Sequence, residues 1–268
     1  MIDLHSHILP AIDDGAADLR ESMKMARMAV GDGISCMACT PHIIPGLWAN
    51  TAQSISSAMH TLQERFEEDE LDLRLVLGAD VHIAPDLLSS LDAGHIPTLN
   101  GTRYFLFEPT HRVLPPRIED LATQLIVAGY VPILTHPERL TWLEHHYDTI
   151  ERLNQIGCLL QITAGSITGA FGKTALYYAE RLLDEGRVDI LASDAHNVSG
   201  RPPILSAARD SVAERLDEAQ AIAMVMTRPA QILADESIVP QGQRNRVTVA
   251  RKKESQSLWK KLMRKDMH

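Results

Sequence analysis

Apolar residues along this chain follow two alternating rhythms. Seven short, nearly continuous apolar runs begin at Met1, Ile34, Leu73, Arg103, Val131, Cys158 and Asp189. Stretches such as 34–40, 131–135 and 189–193 have little polar interruption, as in parallel strands covered on both faces. Between the runs the spacing becomes helical. Leu19, Met23, Ala26 and Val30 form one stripe, and Ile55, Met59, Leu62 and Phe66 a second. Ile118, Leu121, Leu125 and Ala128 form a third, and Leu176, Ala179 and Leu183 a fourth. Gly31, Gly33, Gly94, Gly129, Gly157 and Gly186 stand where helices should stop. Strand and helix alternating seven times predict an α/β fold, a seven-stranded parallel (β/α) barrel. A doubly wound open sheet is the competing architecture.

The polar residues that end the runs decide between them. His5 and His7 close the first, and His42, Asp80, Glu108 and His136 follow later ones; Asp194 and His196 close the last. A barrel gathers its reactive groups from many strand ends, whereas an open sheet concentrates them at one switch point. Residues i and i+2 of an extended segment point the same way, so the imidazoles of His5 and His7 can converge. Asp3 precedes that pair and is expected to orient a ligand imidazole. A turn, Asp13-Asp14-Gly15, follows it. Any one of these residues could be an ordinary hydrogen-bonded core group. All together predict a metalloenzyme. Nitrogen and oxygen donors without a thiolate suit manganese, iron or zinc better than a structural zinc. The donors are too many for one ion and enough for two or three, an arrangement that recurs in phosphoester hydrolysis.

Composition narrows the class further. The chain has 268 residues, 45% apolar and 23% charged, suited to one soluble barrel. No apolar stretch approaches the length of a membrane span, and Met1 leads straight into strand-like sequence. Neither a signal peptide nor a transmembrane helix is expected. Three cysteines do not suggest a disulfide framework, so a cytoplasmic location is expected. Cys36 and Cys39, three apart on a strand, should face opposite sides. No cysteine is followed six positions later by arginine, which argues against a thiol-dependent phosphatase.

The strings DLHSH, TPH, THPER and SDAHN stand in the order and spacing of the PHP (polymerase and histidinol phosphatase) family. Within it, DLHSHILPAIDDG, HPER and SDAHN followed by Arg201-Pro202-Pro203 resemble the bacterial capsule and exopolysaccharide tyrosine-protein phosphatases. The resemblance spans roughly residues 1–235. It implies a distorted PHP-type barrel that binds three divalent ions, manganese first and iron or zinc as alternatives. It also implies a phosphotyrosine protein substrate, the tail of a membrane-associated tyrosine kinase that controls polysaccharide export. Carried over by position, it puts His5, His7 and Asp194 on one ion. Glu108 and His136 fall on a second, bridged to the first by Asp80; Asp14, His42 and His196 fall on a third. Arg139 and Arg201 match the arginines that hold the substrate phosphate. Where those phosphatases carry a bridging glutamate this chain has the shorter Asp80.

Three rivals share parts of this evidence. A histidinol-phosphate-type phosphatase keeps the fold and changes the substrate. An amidohydrolase also begins with HxH but commonly bridges its metals with a strand-end lysine, which is missing here. A non-catalytic module could retain the metals and dock a kinase tail through Arg139 and Arg201. Charge separates a last region. The total is −9, yet residues 244–268 hold nine basic against two acidic side chains, leaving the part before them at −16. The body, residues 1–243, is therefore a poor nucleic-acid binder. In the tail, Leu258, Trp259, Leu262 and Met263 would share one face of a short basic helix, suited to weak contact with an anionic membrane surface on the cytoplasmic side.

Overall fold

A computed structural model describes residues 1–243; the expectations for residues 244–268 lie outside the described residues. Among the described residues there are nine strands: β1 (Ile2–Ser6), β2 (Cys36–Cys39), β3 (His42–Ile43), β4 (Arg74–Leu77), β5 (Asp80–His82), β6 (Tyr104–Glu108), β7 (Val131–Thr135), β8 (Leu159–Thr163) and β9 (Ile190–Ala192). They correspond to the seven apolar runs, with β3 and β5 as short continuations that begin just past the second and third runs. Between β2 and β3 lies Thr40-Pro41, where proline has no N–H for a ladder. Between β4 and β5 lies Gly78, where an added Cβ would stand 2.8 Å from Leu99 Cδ2 and 3.0 Å from Thr40 Cγ2.

All strand pairings are parallel, in the orders β1-β2-β4 and β3-β5-β6-β7-β8-β9. Since β2 runs on into β3 and β4 into β5, the two sheets are parts of one ring. A parallel bridge between Ser6 and Ala195 brings its ends together. There Asp194 N–H donates to His5 O at 2.9 Å and His7 N–H to Ala195 O at 2.8 Å. The distorted seven-run barrel read from the sequence is the architecture found.

Apolar side chains separate into two layers. Leu4, Ala38, Val76, Leu106, Ile133, Leu159 and Ile190 form one cluster with Ile232 and Ile238, which fill the barrel from its lower end. Alternate residues such as Met37, Phe105, Phe107, Leu134 and Leu191 belong to a second cluster shared with the surrounding helices. Cys36 lies in the first cluster and Cys39 in the second, so the two thiols face opposite sides as expected. The helix Leu19–Gly31 starts at Asp18, whose side chain accepts from Glu21 N–H. In helix Ala52–Glu68, Thr51 and Ser54 form a capping box. Helix Gly172–Asp184 buries Ala175, Tyr178, Ala179, Leu182 and Leu183; Leu176 is only half-buried, so the apolar face lies partly to one side of the expected stripe.

One irregularity prepares the site. Register runs from Asp3 opposite Met37 to Ser6 opposite Cys39, so β1 holds one residue more than β2 over this interval. Leu4 and His5 together oppose Ala38 across this β-bulge, a device that re-aims side chains beside active sites. Leu4 stays in the inner apolar cluster while His5 Nδ1 reaches Gln161 Oε1 at 2.8 Å.

Candidate metal centre

The ligand candidates converge at the end of the barrel where the strands finish. His5 Nε2 and His7 Nε2 are 3.2 Å apart. Asp194 Oδ1 lies 3.3 Å from the first and 3.5 Å from the second. Asp80 Oδ2 stands 3.4 Å from both His5 Nε2 and His42 Nδ1. Glu108 Oε2 is 3.4 Å from His42 Nδ1, and Glu108 Oε1 is 3.7 Å from His136 Nε2. At the open edge Asp14 Oδ1 lies 3.6 Å from His42 Nε2 and 3.4 Å from His196 Nε2. All but Asp14 are buried.

Among the described residues, five overlapping groups, built from these donors and His111, are compact enough to hold an ion. They are His7-Asp14-His42-His196, His5-His7-Asp80, His5-His136-Asp194, Glu108-His111-His136 and His42-Asp80-Glu108. Asp80 belongs to two of them, between His5 and His42, while Asp194 sits with His5 and His136. Asp14, His42 and His196 come together as the resemblance implies, joined by His7. The short aspartate therefore still reaches two imidazoles.

The donors fit metal binding by a direct test. Among the described residues, both Asp80 oxygens, Glu108 Oε2, His42 Nδ1, His136 Nδ1 and His196 Nε2 are buried without a hydrogen-bond partner. Buried polar groups are normally satisfied, so a cluster of unsatisfied lone pairs calls for a ligand. Two ligand-bearing turns are also strained: His136 has φ 35° and Asp194 φ 52°, left-handed values unusual for residues with a Cβ.

Electrostatics divides the imidazoles. Burial opposes protonation of His5, but Asp194 and Asp80 outweigh it and hold the pKa up to about 9. At His42 burial is likewise overcome, by Glu108 and Asp80, again to about 9. His136 moves far down through burial and the Arg139 charge, and His196 falls to about 4 through burial and His7. Burial favours protonated Glu108 and Asp194, yet the surrounding imidazoles keep both well below the usual carboxylate range.

The supporting residues differ from expectation in one place. Asp3 does not orient an imidazole: its carboxylate accepts from Ser193 Oγ, Ser193 N–H and His5 N–H. The bulge that aims the His5 ring at the barrel interior leaves Asp3 to tie β1 to the end of β9. Asp13 orients His7 instead, with Oδ2 2.6 Å from His7 Nδ1, and also accepts from His42 N–H at 3.0 Å. Gln161 does the same for His5. A glutamine inside the otherwise apolar Leu159–Ile162 stretch was a signal for this second role.

Arg139 and Arg201 meet at the site, both donating to Asp194 Oδ2. Neither pairs with Glu138, whose carboxylate accepts from Thr163 N–H and Ser166 Oγ. Arg201 Nε is buried with no hydrogen-bond partner among the described residues. Phe171 lies beneath both guanidiniums, and Trp48 stacks on His42 with ring centres 5.2 Å apart. Neither aromatic has a sequence signature. His82 and His111 border Glu108 at 3.6 and 3.5 Å. The cysteines take no part: burial pushes the Cys158 thiol up to about 12 and that of Cys39 higher still.

The profile of a family described as "Capsular polysaccharide synthesis, CpsB/CapC" matches residues 1–234. Tyrosine-protein phosphatase YwqE of Bacillus subtilis is 36% identical over 201 residues, 75% of this chain and 79% of its own length. Tyrosine-protein phosphatase CpsB of Streptococcus pneumoniae is 30% identical over 247 residues, 89% of this chain and all of its own length. A crystal structure from work on those two proteins, described as unique metal-dependent tyrosine phosphatases, superposes with a TM-score of 0.87 at 32% identity. It covers 90% of this chain and 98% of its own. This chain belongs to the capsular polysaccharide synthesis CpsB/CapC family.

Proposed function

We propose that this protein is a metal-dependent protein-tyrosine phosphatase, a phosphoric monoester hydrolase whose reaction takes place at the ligand-bearing end of the barrel. The observation that carries the reading is Asp80, fully buried with neither oxygen hydrogen-bonded among the described residues, and flanked by His5 and His42. The metal-dependent character of the named relatives supports it. His5, His7, Asp14, His42, Asp80, Glu108, His136, Asp194 and His196 would hold the ions, three in our reading. Manganese is the first choice, with iron or zinc as alternatives on donor type. Such ions offset charge on phosphoryl oxygens and lower the pKa of water towards ~7.

The chain's own side chains supply the rest. Arg139 and Arg201 grip the phosphoryl oxygens, for which a planar guanidinium offers paired donors. Their shared contact with Asp194 places both within reach of the ligand cluster. Asp13 and Gln161 fix the rings of His7 and His5, so the donors need little reorganisation. The leaving phenol has a pKa of ~10 and needs less acid assistance than an alkyl alcohol. The substrate in this reading is the phosphotyrosine tail of a membrane-associated kinase in polysaccharide export. The barrel, residues 1–243, acts from solution. No helix among the described residues is long and apolar enough to cross a membrane. Residues 244–268 are proposed as a separate basic tail that touches the membrane surface.

Competition among substrates tests the reading. With the metal-loaded protein, a phosphotyrosine peptide should be hydrolysed with a higher kcat/KM than histidinol phosphate or a short DNA at equal concentration. Preference for histidinol phosphate would move the protein to the small-molecule branch.

A further inference from the structure

Phe171 sits at the edge of the arginine pair, in a segment built around it. Its ring centre lies 4.3 Å from Arg139 Cζ and 5.9 Å from Arg201 Cζ. Both fall within the roughly 6 Å reach of cation–π attraction. Two guanidiniums side by side repel each other, and each long side chain loses rotamer freedom when it is held in one place. A shared aromatic face opposes both effects.

The backbone makes room for the ring. A Cβ at Gly165 would stand 2.8 Å from Phe171 Cε2 and 3.2 Å from Cδ2, so a side chain there would displace it. Ala170 N–H donates to Gly165 O at 2.8 Å, closing the turn that carries Phe171. The start of that segment is tied to the arginine's own turn. Glu138, adjacent to Arg139, is buried and accepts from Thr163 N–H at 2.9 Å and Ser166 Oγ at 2.7 Å. One residue of the Glu138-Arg139 pair thus fixes the segment and the other rests on its ring.

We propose that Phe171 is a positioning residue that holds Arg139 and Arg201 in place for the phosphoryl group. The inference rests on the phosphatase reading above and adds to it a residue that acts through the two arginines.

The test is steady-state kinetics on a phosphotyrosine peptide, with inhibition by inorganic phosphate, for metal-loaded Phe171→Leu, Phe171→Trp and Gly165→Ala. Phe171→Leu should raise KM and the phosphate inhibition constant together, about fivefold to thirtyfold, with a smaller change in kcat. Phe171→Trp keeps a π face and should restore most of the affinity. Gly165→Ala, which disturbs the ring from outside, should weaken phosphate binding in the same direction. The Phe171→Leu effect should shrink in an Arg139→Ala background, which a general packing defect would not do. Unchanged phosphate inhibition in Phe171→Leu, or an undiminished effect without Arg139, would overturn the inference. If Arg139→Ala weakens phosphate binding while the Phe171 variants do not, the positioning role falls and the phosphatase reading stands. If the wild-type protein leaves phosphotyrosine untouched, that reading falls first.

Discussion

Two fully buried aspartates, one near each end of the barrel, have opposite surroundings. Asp189, just before β9, is saturated: Oδ1 accepts from Gln241 N–H and Oδ2 from Leu160 N–H, both at 2.8 Å. The buried Arg228 donates to the Asp189 backbone oxygen at 2.7 Å. Asp80, at the start of β5, has no hydrogen bond to either oxygen among the described residues. Leaving a buried polar group unsatisfied costs about 1–3 kcal/mol, and more for a charge. Asp189 is thus a structural clasp that joins strand, floor and C-terminal segment. Asp80 and its neighbours instead leave buried lone pairs without a hydrogen bond. Burial alone does not separate the two; hydrogen-bond bookkeeping does.

Removing each carboxylate should break different properties, and this contrast carries the largest expected effects. Asp80→Asn should lower kcat on a phosphotyrosine peptide at least about a hundredfold, since metal charge stabilisation is worth several kcal/mol. Asp189→Ala should instead destabilise the fold by roughly 3 kcal/mol, with turnover per folded molecule retained. Chemical denaturation beside kinetics reads both. Activity loss in Asp189→Ala at full folding would erase the distinction.

A smaller effect is expected one layer out. Asp13→Asn weakens the acceptor on His7 Nδ1 and should reduce metal affinity about 10- to 100-fold, measured by competition with a chelator. Asp3→Asn, two residues from a ligand but bonded to Ser193, should affect stability more than metal affinity.

Acidity gives a third handle on the metal-free protein. His5 and His42 titrate near 9 in the fold, above their ordinary value of 6.5. Their contribution is complete below 6.5 and is lost as pH rises through 9. His196 titrates near 4 and His136 is also depressed, so the fold loses stability as pH falls below 6.5. Thermal melts of chelated protein should therefore peak near pH 6.5. Bound metal should flatten the alkaline side, because it replaces the protons on His5 and His42. A chelated protein that grows steadily more stable towards pH 9 would contradict the coupling. The smallest change is expected from Asp80→Glu, which adds one methylene at the position where the resembled phosphatases carry glutamate. It should keep kcat within about tenfold.

Much of this was legible because ligands and strands share one periodicity. His42, Glu108, His136 and Asp194 sit at or just past the ends of apolar runs, and closing those runs into a ring brings them together. The breaks at Pro41 and Gly78 were harder to read, since each leaves the apolar run intact while splitting its ladder. The exchange of roles between Asp3 and Asp13 depended on a one-residue bulge, which no local pattern announces. Phe171 was hidden for a different reason. Its partners Arg139 and Arg201 lie far away in sequence, and the glycine that makes room for it resembles an ordinary loop residue.

Chelation followed by metal analysis and turnover on a phosphotyrosine peptide tests the central claim most directly. Purified protein should contain bound divalent metal, lose hydrolysis when it is stripped, and regain it when manganese is restored, with Asp80→Asn failing to respond. Undiminished hydrolysis by metal-free protein would contradict the account.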